Sequence, residues 1–511
     1  MADRPIRPQR VTPRSVRTLV DGLHLEMVSG EESTTVTGVA ISASAAMPGD
    51  LFVALPGRAH HGANFTAEAI AAGAHAILTD PEGVTLIDDV SVPIVSHPHP
   101  REILGRLSQR VYDPGVALPS VLAVTGTNGK TSVVFYLEAI LRQLGETTAL
   151  SNSTERRVAG EVFTTPLTTP EANELQALLA IGAERGVGVM ALEASAQAIE
   201  RHRLDGIVAA VSGFTNLSHD HFEDYGDMDA YLAQKLPLFQ PEMSRRAVIS
   251  LESPWGARVV EHCGIPYVTI AEAGVAEANW TYQVTASDAE GEHFTLTGPH
   301  GSLSTSISAL GHHMVRNAAL AIVMIVEAGV DFSRLSAISA ERGGIDVVVP
   351  GRIERIGQGS PVSVFVDAGR SADAYTNTFT TLRERFPRKL IVLAGTSGDR
   401  DRSKRPIMGR IAAEMADLVI ITDDDPRRED PAQIRADLLR GARGASGAEV
   451  REIPDPSEAI RVAVAQAQPG DAVVWMGPGS QHYRDIGGTR VPFSAREEAR
   501  KALEELGWVS S

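Results

Sequence analysis

The segment VLAVTGTNGKTS at residues 121–132 constrains the fold of this chain more than any other feature. An apolar run ends in a glycine-containing turn, and Lys130 and Thr131 follow in the predicted first turn of a helix. Such a turn directs backbone N–H groups at a phosphate, and the helix dipole, a lysine and a hydroxyl add further contacts, the hydroxyl also being able to ligate Mg²⁺. The sequence therefore predicts a parallel α/β sheet with a phosphate loop, formed by Gly126, Thr127, Asn128, Gly129, Lys130, Thr131 and Ser132.

This loop is of a short form. The general pattern GxxxxGK[ST] has glycine at position 124, where this chain has Val124, so the turn follows the pattern GxxGKT. The alternative is a glycine turn whose lysine and threonine are merely solvated, and the setting between an apolar run and a helix disfavours it.

Strand-like apolar runs alternate with helical segments along the whole chain, which is typical of parallel sheets flanked by helices. Pro and Gly interrupt this alternation in RVYDPGVALPS at residues 110–120, and the pattern restarts at VVVPGRIERI, residues 347–356. These breaks predict three α/β domains, at residues 1–117, 118–347 and 348–511.

Composition excludes several classes of protein. With 47 Lys and Arg against 64 Asp and Glu, the net charge of −17 argues against a nucleic-acid partner. The single cysteine, Cys263, excludes an internal disulfide framework. The sequence has no long apolar run and no secretory signal, so we expect a cytoplasmic monomer that acts on small molecules without a membrane partner.

Acidic, histidine and lysine residues follow two of the apolar runs. Glu193 ends one run, Asn216 ends another, and His221 and Lys235 come after it. In a parallel sheet, successive strand ends lie along one edge, here beside the phosphate loop. Taken singly, Glu193 or His221 is typical of a hydrogen-bonded surface residue, but their joint placement favours a Mg²⁺ site that bridges nucleotide and substrate.

The chain contains several recognisable motifs, which are GTNGKTS, TTPEA, LEAS with a later His-Arg pair, FTNLS with a later Asp-His pair, and a lysine fourteen residues past His221. These motifs resemble those of the Mur ligases, of the MurE type. Further matches are PGRIERI at residues 350–356, GDRDRSKRPIMG at 398–409 and DDPRREDP at 424–431. The resemblance runs from about residue 36 to the C-terminus.

This resemblance implies three domains: one for the UDP end of the substrate, a central P-loop ATPase and a C-terminal Rossmann-like domain. It implies that ATP converts a substrate carboxylate into an acyl phosphate, which the amine of an amino acid then attacks. On matching positions, Lys130 and Thr131 serve ATP, Glu193 and His221 ligate Mg²⁺ together with Thr131, and Lys235 is the lysine that is carbamylated and helps to hold a metal ion.

The same resemblance implies further contacts. Positions that meet the muramoyl peptide or its diphosphate are Thr168, Thr169, Ser195 and Arg203, and those that meet ATP are Asn317, Arg352 and Asp367. The loop that selects the amino acid is matched by Asp424, Asp425, Pro426 and Arg427, and the C-terminal segment beside it by Gly477 and Gln481. An arginine at position 427 can pair with a distal carboxylate, which favours diaminopimelate, whereas Asp425 in place of asparagine is also seen in enzymes that accept lysine.

Several motifs depart from the family pattern. The expected DSR of the first domain is Ser42-Ala43-Ser44, SSH after the glutamate is Ser195-Ala196-Gln197, and the adenine segment GxFNVxN reads GHHMVRN with Met314. DYAHTPDA has become DAGRSADA, with Arg370 in place of histidine, and GKGHE has become GPGSQ, which places Gln481 where the family has glutamate. The changes fall in segments that the resemblance assigns to the substrates and to the adenine, and they leave the phosphate loop intact.

Four interpretations follow. The first is an enzyme that adds diaminopimelate or lysine to UDP-MurNAc-L-Ala-D-Glu, and the second is a paralogue that joins an amino acid to a different carboxylate in specialised metabolism. The third is a non-catalytic nucleotide-binding scaffold, which the intact loop disfavours. The fourth is a folylpolyglutamate-type ligase, against which TTPEA, GDRDRSKRP and DDPR weigh.

Overall fold

The computed structural model describes residues 6–57, 59–88, 90–163, 167–218, 225–288 and 290–509, and three large sheets follow one another along this part of the chain. They contain five, eleven and six strands. The α/β class predicted from the alternation of apolar runs is confirmed. None of the described helices is at once long and apolar enough to cross a membrane.

The first sheet lies within residues 26–96 and is parallel except for one antiparallel edge pair. Its strands, in spatial order, are Glu26–Ser29, Ile94–Ser96, Ala76–Thr79, Asp50–Ala54 and Gly38–Ala40. The helices are Val16–Leu23, Thr66–Ala71, Pro81–Thr85 and Pro100–Val111, and a separate strand pair joins Arg14–Ser15 to Thr35–Val36. The inner strands are buried along their whole length, which suits a parallel sheet covered on both faces.

The central sheet is parallel in its middle and ends in antiparallel hairpins at both edges. Its strands, in spatial order, are Glu161–Phe163, Arg156–Val158, Thr148–Ser151, Val189–Glu193, Ser120–Thr125, Val211–Phe214, Ala247–Ser250, Tyr267–Glu272, Trp280–Ser287, Glu292–Gly298 and Gly301–Ile307. Its helices are Lys130–Gln143, Ala172–Glu184, Ala196–Glu200, Met228–Ala233, Pro254–Glu261, His312–Glu327 and Phe332–Arg342.

The order of these strands positions the site. Strand Ser120–Thr125 runs between Val189–Glu193 and Val211–Phe214, and all three point the same way. Val124 pairs with Glu193 on one side and Gly213 on the other. The carboxyl ends of the three strands therefore meet at one edge, directly before the phosphate loop.

The third sheet is parallel apart from one antiparallel edge strand. Its strands, in spatial order, are Glu354–Ile356, Ser363–Asp367, Ala472–Met476, Leu390–Ala394, Leu418–Ile421 and Glu449–Glu452. The helices are Ala372–Arg385, Lys404–Met415, Pro431–Ala442, Pro456–Gln466 and Ala495–Glu505, and a small hairpin pairs Tyr483–Ile486 with Thr489–Pro492. The proposed boundaries near residues 117 and 347 fall between the sheets.

A buried ion pair joins the second and third units. Arg385, at the end of its helix, donates from Nη2 to Glu292 Oε1 over 2.7 Å, and the Glu292 side chain is fully buried. The same carboxylate oxygen accepts from Gly311 N over 2.7 Å, immediately before helix His312–Glu327. The start of that helix is therefore held by the C-terminal unit.

A second buried ion cluster lies within the C-terminal unit. The fully buried Arg405 forms two hydrogen bonds to Glu429, of 2.9 and 3.1 Å, and one of 3.2 Å to Asp437. The hydrogen bond from Arg405 lowers the pKa of Glu429, so the Glu429 carboxylate stays charged near neutral pH. Arg405, the last arginine of the GDRDRSKRPIMG motif, is therefore a structural residue.

We expect Arg405→Met to lower the free energy of unfolding by about 3–5 kcal/mol, because it leaves two carboxylates without their buried cation. The control is Arg440→Met, since Arg440 also pairs with Asp437, at 3.1 Å, but from a position that is 65% exposed. Its loss should cost less than about 1 kcal/mol. Urea denaturation measures both values, and equal losses would contradict the interpretation.

Candidate functional site

The phosphate loop connects strand Ser120–Thr125 to helix Lys130–Gln143. Gly126 has a φ of 143° and Gly129 a φ of 89°, both in the region that favours glycine. A Cβ on Gly126 would lie 2.0 Å from Thr215 Oγ1, and one on Gly129 would lie 2.4 Å from Asn317 Oδ1. The loop therefore requires glycine at both positions.

Two residues that the sequence analysis did not include among the site residues brace this loop. Thr215 donates from Oγ1 to Asn128 O over 2.7 Å, and Asn216 Oδ1 accepts from Asn128 N over 3.1 Å. Both follow the neighbouring strand Val211–Phe214. Their contacts depend on the order of the strands in the sheet, which is not visible in the local sequence.

Thr131, Glu193 and Lys130 converge at the end of the loop. Thr131 donates from Oγ1 to Glu193 Oε2 over 2.9 Å, and Lys130 Nζ lies 3.8 Å from Glu193 Oε1. Ser153, which the sequence analysis did not single out, donates its backbone N–H to Glu193 Oε2 over 3.1 Å. A buried carboxylate beside a hydroxyl is the hard-oxygen donor set that suits Mg²⁺, so the residues present fit a metal bound with nucleotide.

Lys235 lies on the other side of the same loop. Its side chain is 1% exposed, its Nζ donates to Gly126 O over 3.0 Å, and it sits 4.3 Å from the centre of the Tyr231 ring. His221 lies outside the described residues. Within the part of the chain that the structure describes, no group of three His, Cys, Asp or Glu side chains is placed to hold a metal ion. The metal roles of these residues stay predictions.

The four residues predicted to contact the acceptor lie together. Thr169 donates from its hydroxyl to Glu193 O over 2.8 Å and to Ser195 Oγ over 3.3 Å. Arg203 pairs with Glu171 Oε1 at 2.9 Å, and burial lowers its pKa. Lys130, Thr168, Glu193, Ser195, Arg203 and Lys235 are among the residues that line a cavity of about 290 Å³. The phosphate loop therefore opens onto the predicted acceptor site.

Arg156 is a buried cation that the sequence analysis missed; it lines a separate cavity of about 370 Å³ and contacts Leu167, which lines the acceptor cavity. It is 2% exposed, and burial lowers its pKa to about 10. Its guanidinium donates to Ser151 Oγ over 3.2 Å and to Leu167 O, while Nη1 is buried with no hydrogen-bond partner among the described residues. The sequence gives no periodic or motif signal for it, although its hydrogen-bond partners lie only 5 and 11 residues away along the chain.

A second cavity, of about 300 Å³, lies between the phosphate loop and the C-terminal unit. The predicted loop residues Asn128, Gly129, Thr131 and Ser132 line it together with Asn317, Arg352 and Asp367. Arg352 reaches across and donates from Nη2 to Thr131 Oγ1 over 3.4 Å. Asn317 is 2% exposed and its Oδ1 has no hydrogen-bond partner within the described residues, so a ligand donor fits there.

Two titratable groups of this cavity have shifted pKa values. Burial raises the pKa of Asp367, whose two carboxylate oxygens accept from Ile353 N and Gly369 N over 2.8 and 2.7 Å. Burial first, and then neighbouring cations including Arg316, lower the pKa of His313 to about 3. His313 is therefore neutral near pH 7, and the positive charge of the cavity comes from its arginines and lysine.

The predicted amino-acid loop and the C-terminal segment meet at Arg370. Its Nε lies 3.1 Å from Asp424 Oδ2, and its Nη2 lies 2.8 Å from Gln481 Oε1 and 3.8 Å from Asp425 Oδ2. Gly477 adjoins them, since a Cβ there would lie 3.1 Å from Asp424 Oδ2. Burial and the neighbouring Asp424 raise the pKa of Asp425. The sequence analysis noted Arg370 as a departure but did not include it among the site residues.

The hairpin that follows Gln481 fixes this loop. Arg427 has a φ of 51°, donates its N–H to Asp485 O over 2.9 Å, and lines the 300 Å³ cavity. Asp485 N donates to Asp425 Oδ1 over 3.2 Å, and Arg484 Nε donates to Asp424 O over 2.8 Å. The backbone and the carboxylates of the loop are thus held from within the C-terminal unit.

Comparison with known proteins identifies the family. A UDP-N-acetylmuramyl-tripeptide synthetase of Leifsonia xyli is 46% identical over 507 residues, which cover 99% of this chain and 98% of the relative. The chain belongs to the Mur ligase family. Family models match this Mur ligase over residues 35–112 (Mur ligase family, catalytic domain), 124–325 (Mur ligase middle domain) and 351–479 (Mur ligase, glutamate ligase domain). The resemblance stated from the motifs is confirmed.

Two further matches cover nearly the whole Mur ligase. A UDP-N-acetylmuramoyl-L-alanyl-D-glutamate–2,6-diaminopimelate ligase of Streptomyces avermitilis is 37% identical, covering 98% of each chain. A solved structure of a UDP-N-acetylmuramoyl-L-alanyl-D-glutamate–2,6-diaminopimelate ligase superposes with a TM-score of 0.69 at 28% identity and covers 97% of this chain and 100% of that one. The three-domain fold expected from the motifs is confirmed.

We expect Lys130→Ala to abolish ATP-dependent phosphate release with little loss of folding. The Nζ group contacts the loop carbonyls Gly126 O and Thr127 O and lies near Glu193, so its removal affects charge at the phosphate site more than packing. A phosphate-release assay and thermal denaturation test this, with the exposed Lys501→Ala as the control. Full activity of Lys130→Ala would refute the assignment.

Proposed function

We propose that this Mur ligase uses ATP to add a diamino acid, meso-diaminopimelate or lysine, to UDP-MurNAc-L-Ala-D-Glu. The observation that carries the proposal is the convergence of Lys130, Thr131 and Glu193 at the junction of two cavities. One cavity contains the predicted nucleotide residues and the other the predicted acceptor residues. The names of the relatives from Leifsonia and Streptomyces support the same reaction.

The chain's own groups suit transfer of the terminal phosphoryl group of ATP to a carboxylate. Such transfer depends mainly on positioning and on neutralising charge. Backbone N–H groups of the loop and Lys130 would bind the phosphates, while Arg352 approaches Thr131 from the opposite side. A Mg²⁺ ion bound at Thr131 and Glu193 would neutralise charge on the phosphate oxygens. The product is an acyl phosphate, from which the attacking amine displaces phosphate.

The acceptor cavity offers cations for an anionic substrate. Arg203 lines this cavity, is 7% exposed and keeps Nε without a hydrogen-bond partner among the described residues. Nη1 of Arg156, which lines the separate 370 Å³ cavity, also lacks a partner among those residues. Buried guanidinium groups with unsatisfied donors are stabilised by a carboxylate or phosphate oxygen. We therefore include Arg156 with Thr168, Thr169, Ser195 and Arg203 as residues that receive the acceptor.

We also propose that Lys235 is carbamylated. The neutral amine would add to CO₂, forming an N–C bond and releasing one proton, so that a cation is exchanged for a carboxylate. Lys235 is buried next to the loop carbonyl of Gly126, where an added anionic oxygen could help to hold a metal ion. Because the reaction consumes ATP, we place the enzyme in the cytoplasm, and we propose separately that it acts as a monomer.

One observation favours a second candidate, the paralogue with a different acceptor. In the N-terminal unit, the family's DSR motif is replaced by Ser42-Ala43-Ser44, and the two serine hydroxyls hydrogen-bond to each other over 2.7 Å. A guanidinium that could contact the uridine end of the substrate is therefore missing from this motif. The ATP chemistry would be unchanged in such an enzyme.

The test is a reaction of purified enzyme with ATP, Mg²⁺ and a panel of amino acids, with UDP-MurNAc-L-Ala-D-Glu or another carboxylate as the acceptor, followed by mass spectrometry. We expect one amide product and one phosphate released per amide formed. Product with another carboxylate only would establish the paralogue. Phosphate release that stays at background with every amine and acceptor would favour the nucleotide-binding scaffold.

We expect Lys235→Ala to lose most of its activity and to recover part of it with acetate or formate, because these small carboxylates can occupy the place of the carbamate. Phosphate release with and without the added acid measures this. Lys130→Ala is the control, since no small acid can replace its positive charge. An unimpaired Lys235→Ala variant would remove the proposed role.

A further inference from the structure

The guanidinium of Arg370 occupies the centre of the predicted amino-acid site. It contacts Asp424, Asp425 and Gln481, which lie 54, 55 and 111 residues away along the chain. All three belong to the segments that the sequence analysis assigned to the incoming amino acid. Arg370 thus connects the two halves of this site.

Its presence changes the charge of the site. Two carboxylates alone, at Asp424 and Asp425, would attract a cationic side chain. Arg370 lies 3.1 and 3.8 Å from these carboxylates. Arg427 lines the 300 Å³ cavity together with Arg370 and adds a second positive charge there. Arg400 and Lys404 line that cavity as well, so cations outnumber the two aspartates, and a ligand group that carries only a positive charge meets mainly like charges.

Part of the Arg370 guanidinium remains available to a ligand. Nε and Nη2 are used by the contacts above, whereas Nη1 makes no hydrogen bond within the described residues. The side chain is 28% exposed and lines the 300 Å³ cavity. Asp424 and Gln481 fix the plane of the guanidinium, which makes it a rigid donor for a carboxylate.

We propose that Arg370 is a specificity-determining residue that receives a carboxylate of the incoming amino acid and disfavours an amino acid with a bare ammonium group at its distal end. A distal end that carries both carboxylate and ammonium, as in diaminopimelate, can pair its carboxylate with Arg370 and its ammonium with Asp424 or Asp425. Lysine brings only the ammonium group, which would lie near Arg370 without a carboxylate to offset the repulsion. This inference rests on the proposed amide-ligase function and narrows its amine substrate.

The experiment measures kcat/KM for three amines, meso-diaminopimelate, 2-aminopimelate and lysine, with ATP and UDP-MurNAc-L-Ala-D-Glu. For the wild-type enzyme we expect that order of preference, because 2-aminopimelate keeps the distal carboxylate and lacks the distal ammonium. In Arg370→Gln, kcat/KM for diaminopimelate should fall ~10- to 100-fold, the range of one charge-assisted hydrogen bond. The value for lysine should stay the same or rise, and KM for ATP should not change.

Two variants serve as comparisons. Arg370→Lys keeps the positive charge and loses the planar fork, so it should retain a weakened preference for diaminopimelate. Arg461→Gln removes an arginine of the same unit that pairs with Glu498 and Glu505 and, within the described part of the chain, contacts none of the predicted amino-acid residues. This variant should keep the wild-type order of preference among the three amines.

Two results would overturn the inference. Equal losses with all three amines would make Arg370 a structural residue, and a raised KM for ATP with an unchanged order of amines would make it a nucleotide contact. If Arg370→Gln does not fold, the wild-type enzyme alone decides, because lysine used as well as diaminopimelate contradicts the proposal. Absence of phosphate release with every amine would instead refute the proposed function.

Discussion

The carboxylate of Glu193 is the contact on which the candidate site depends. It ends a parallel strand, accepts from the Thr131 hydroxyl and from Ser153 N, and lies near the Lys130 ammonium. A buried carboxylate needs such partners, since an unpaired charge in the interior is strongly disfavoured. The Glu193 side chain, which is 3% exposed, therefore contacts the phosphate loop and also lines the predicted acceptor cavity.

Contacts between the units extend this arrangement. Arg352 reaches Thr131 from the C-terminal unit, while Arg385 and Glu292 hold the start of the helix that carries Asn317. The cavity between the phosphate loop and the C-terminal unit is thus lined by residues from distant parts of the sequence. The position of the C-terminal unit and the shape of the nucleotide cavity are coupled through these two connections.

The sequence predicted the fold class because apolar runs, Gly and Pro breaks and the phosphate loop all act locally. It predicted a mostly parallel central sheet but not the antiparallel hairpins at its edges, such as Glu292–Gly298 with Gly301–Ile307. It placed Thr131 and Glu193 at one edge because parallel strand ends meet there. Ser153 and the partners of Arg370 could not be predicted, since those contacts join segments that are distant in sequence and depend on strand order. Arg156 belongs to no motif, so the sequence did not distinguish it from a surface arginine.

The hairpin Tyr483–Pro492 braces the loop at Asp424–Arg427 through contacts that lie entirely within the C-terminal unit. The groups that handle phosphate sit mainly on another sheet. On the proposed role of Arg370, exchange of a few side chains, such as those at positions 370 and 481, would change the preferred amine without altering the phosphate loop. Under this proposal, related ligases would accept different amino acids while keeping the same phosphate loop.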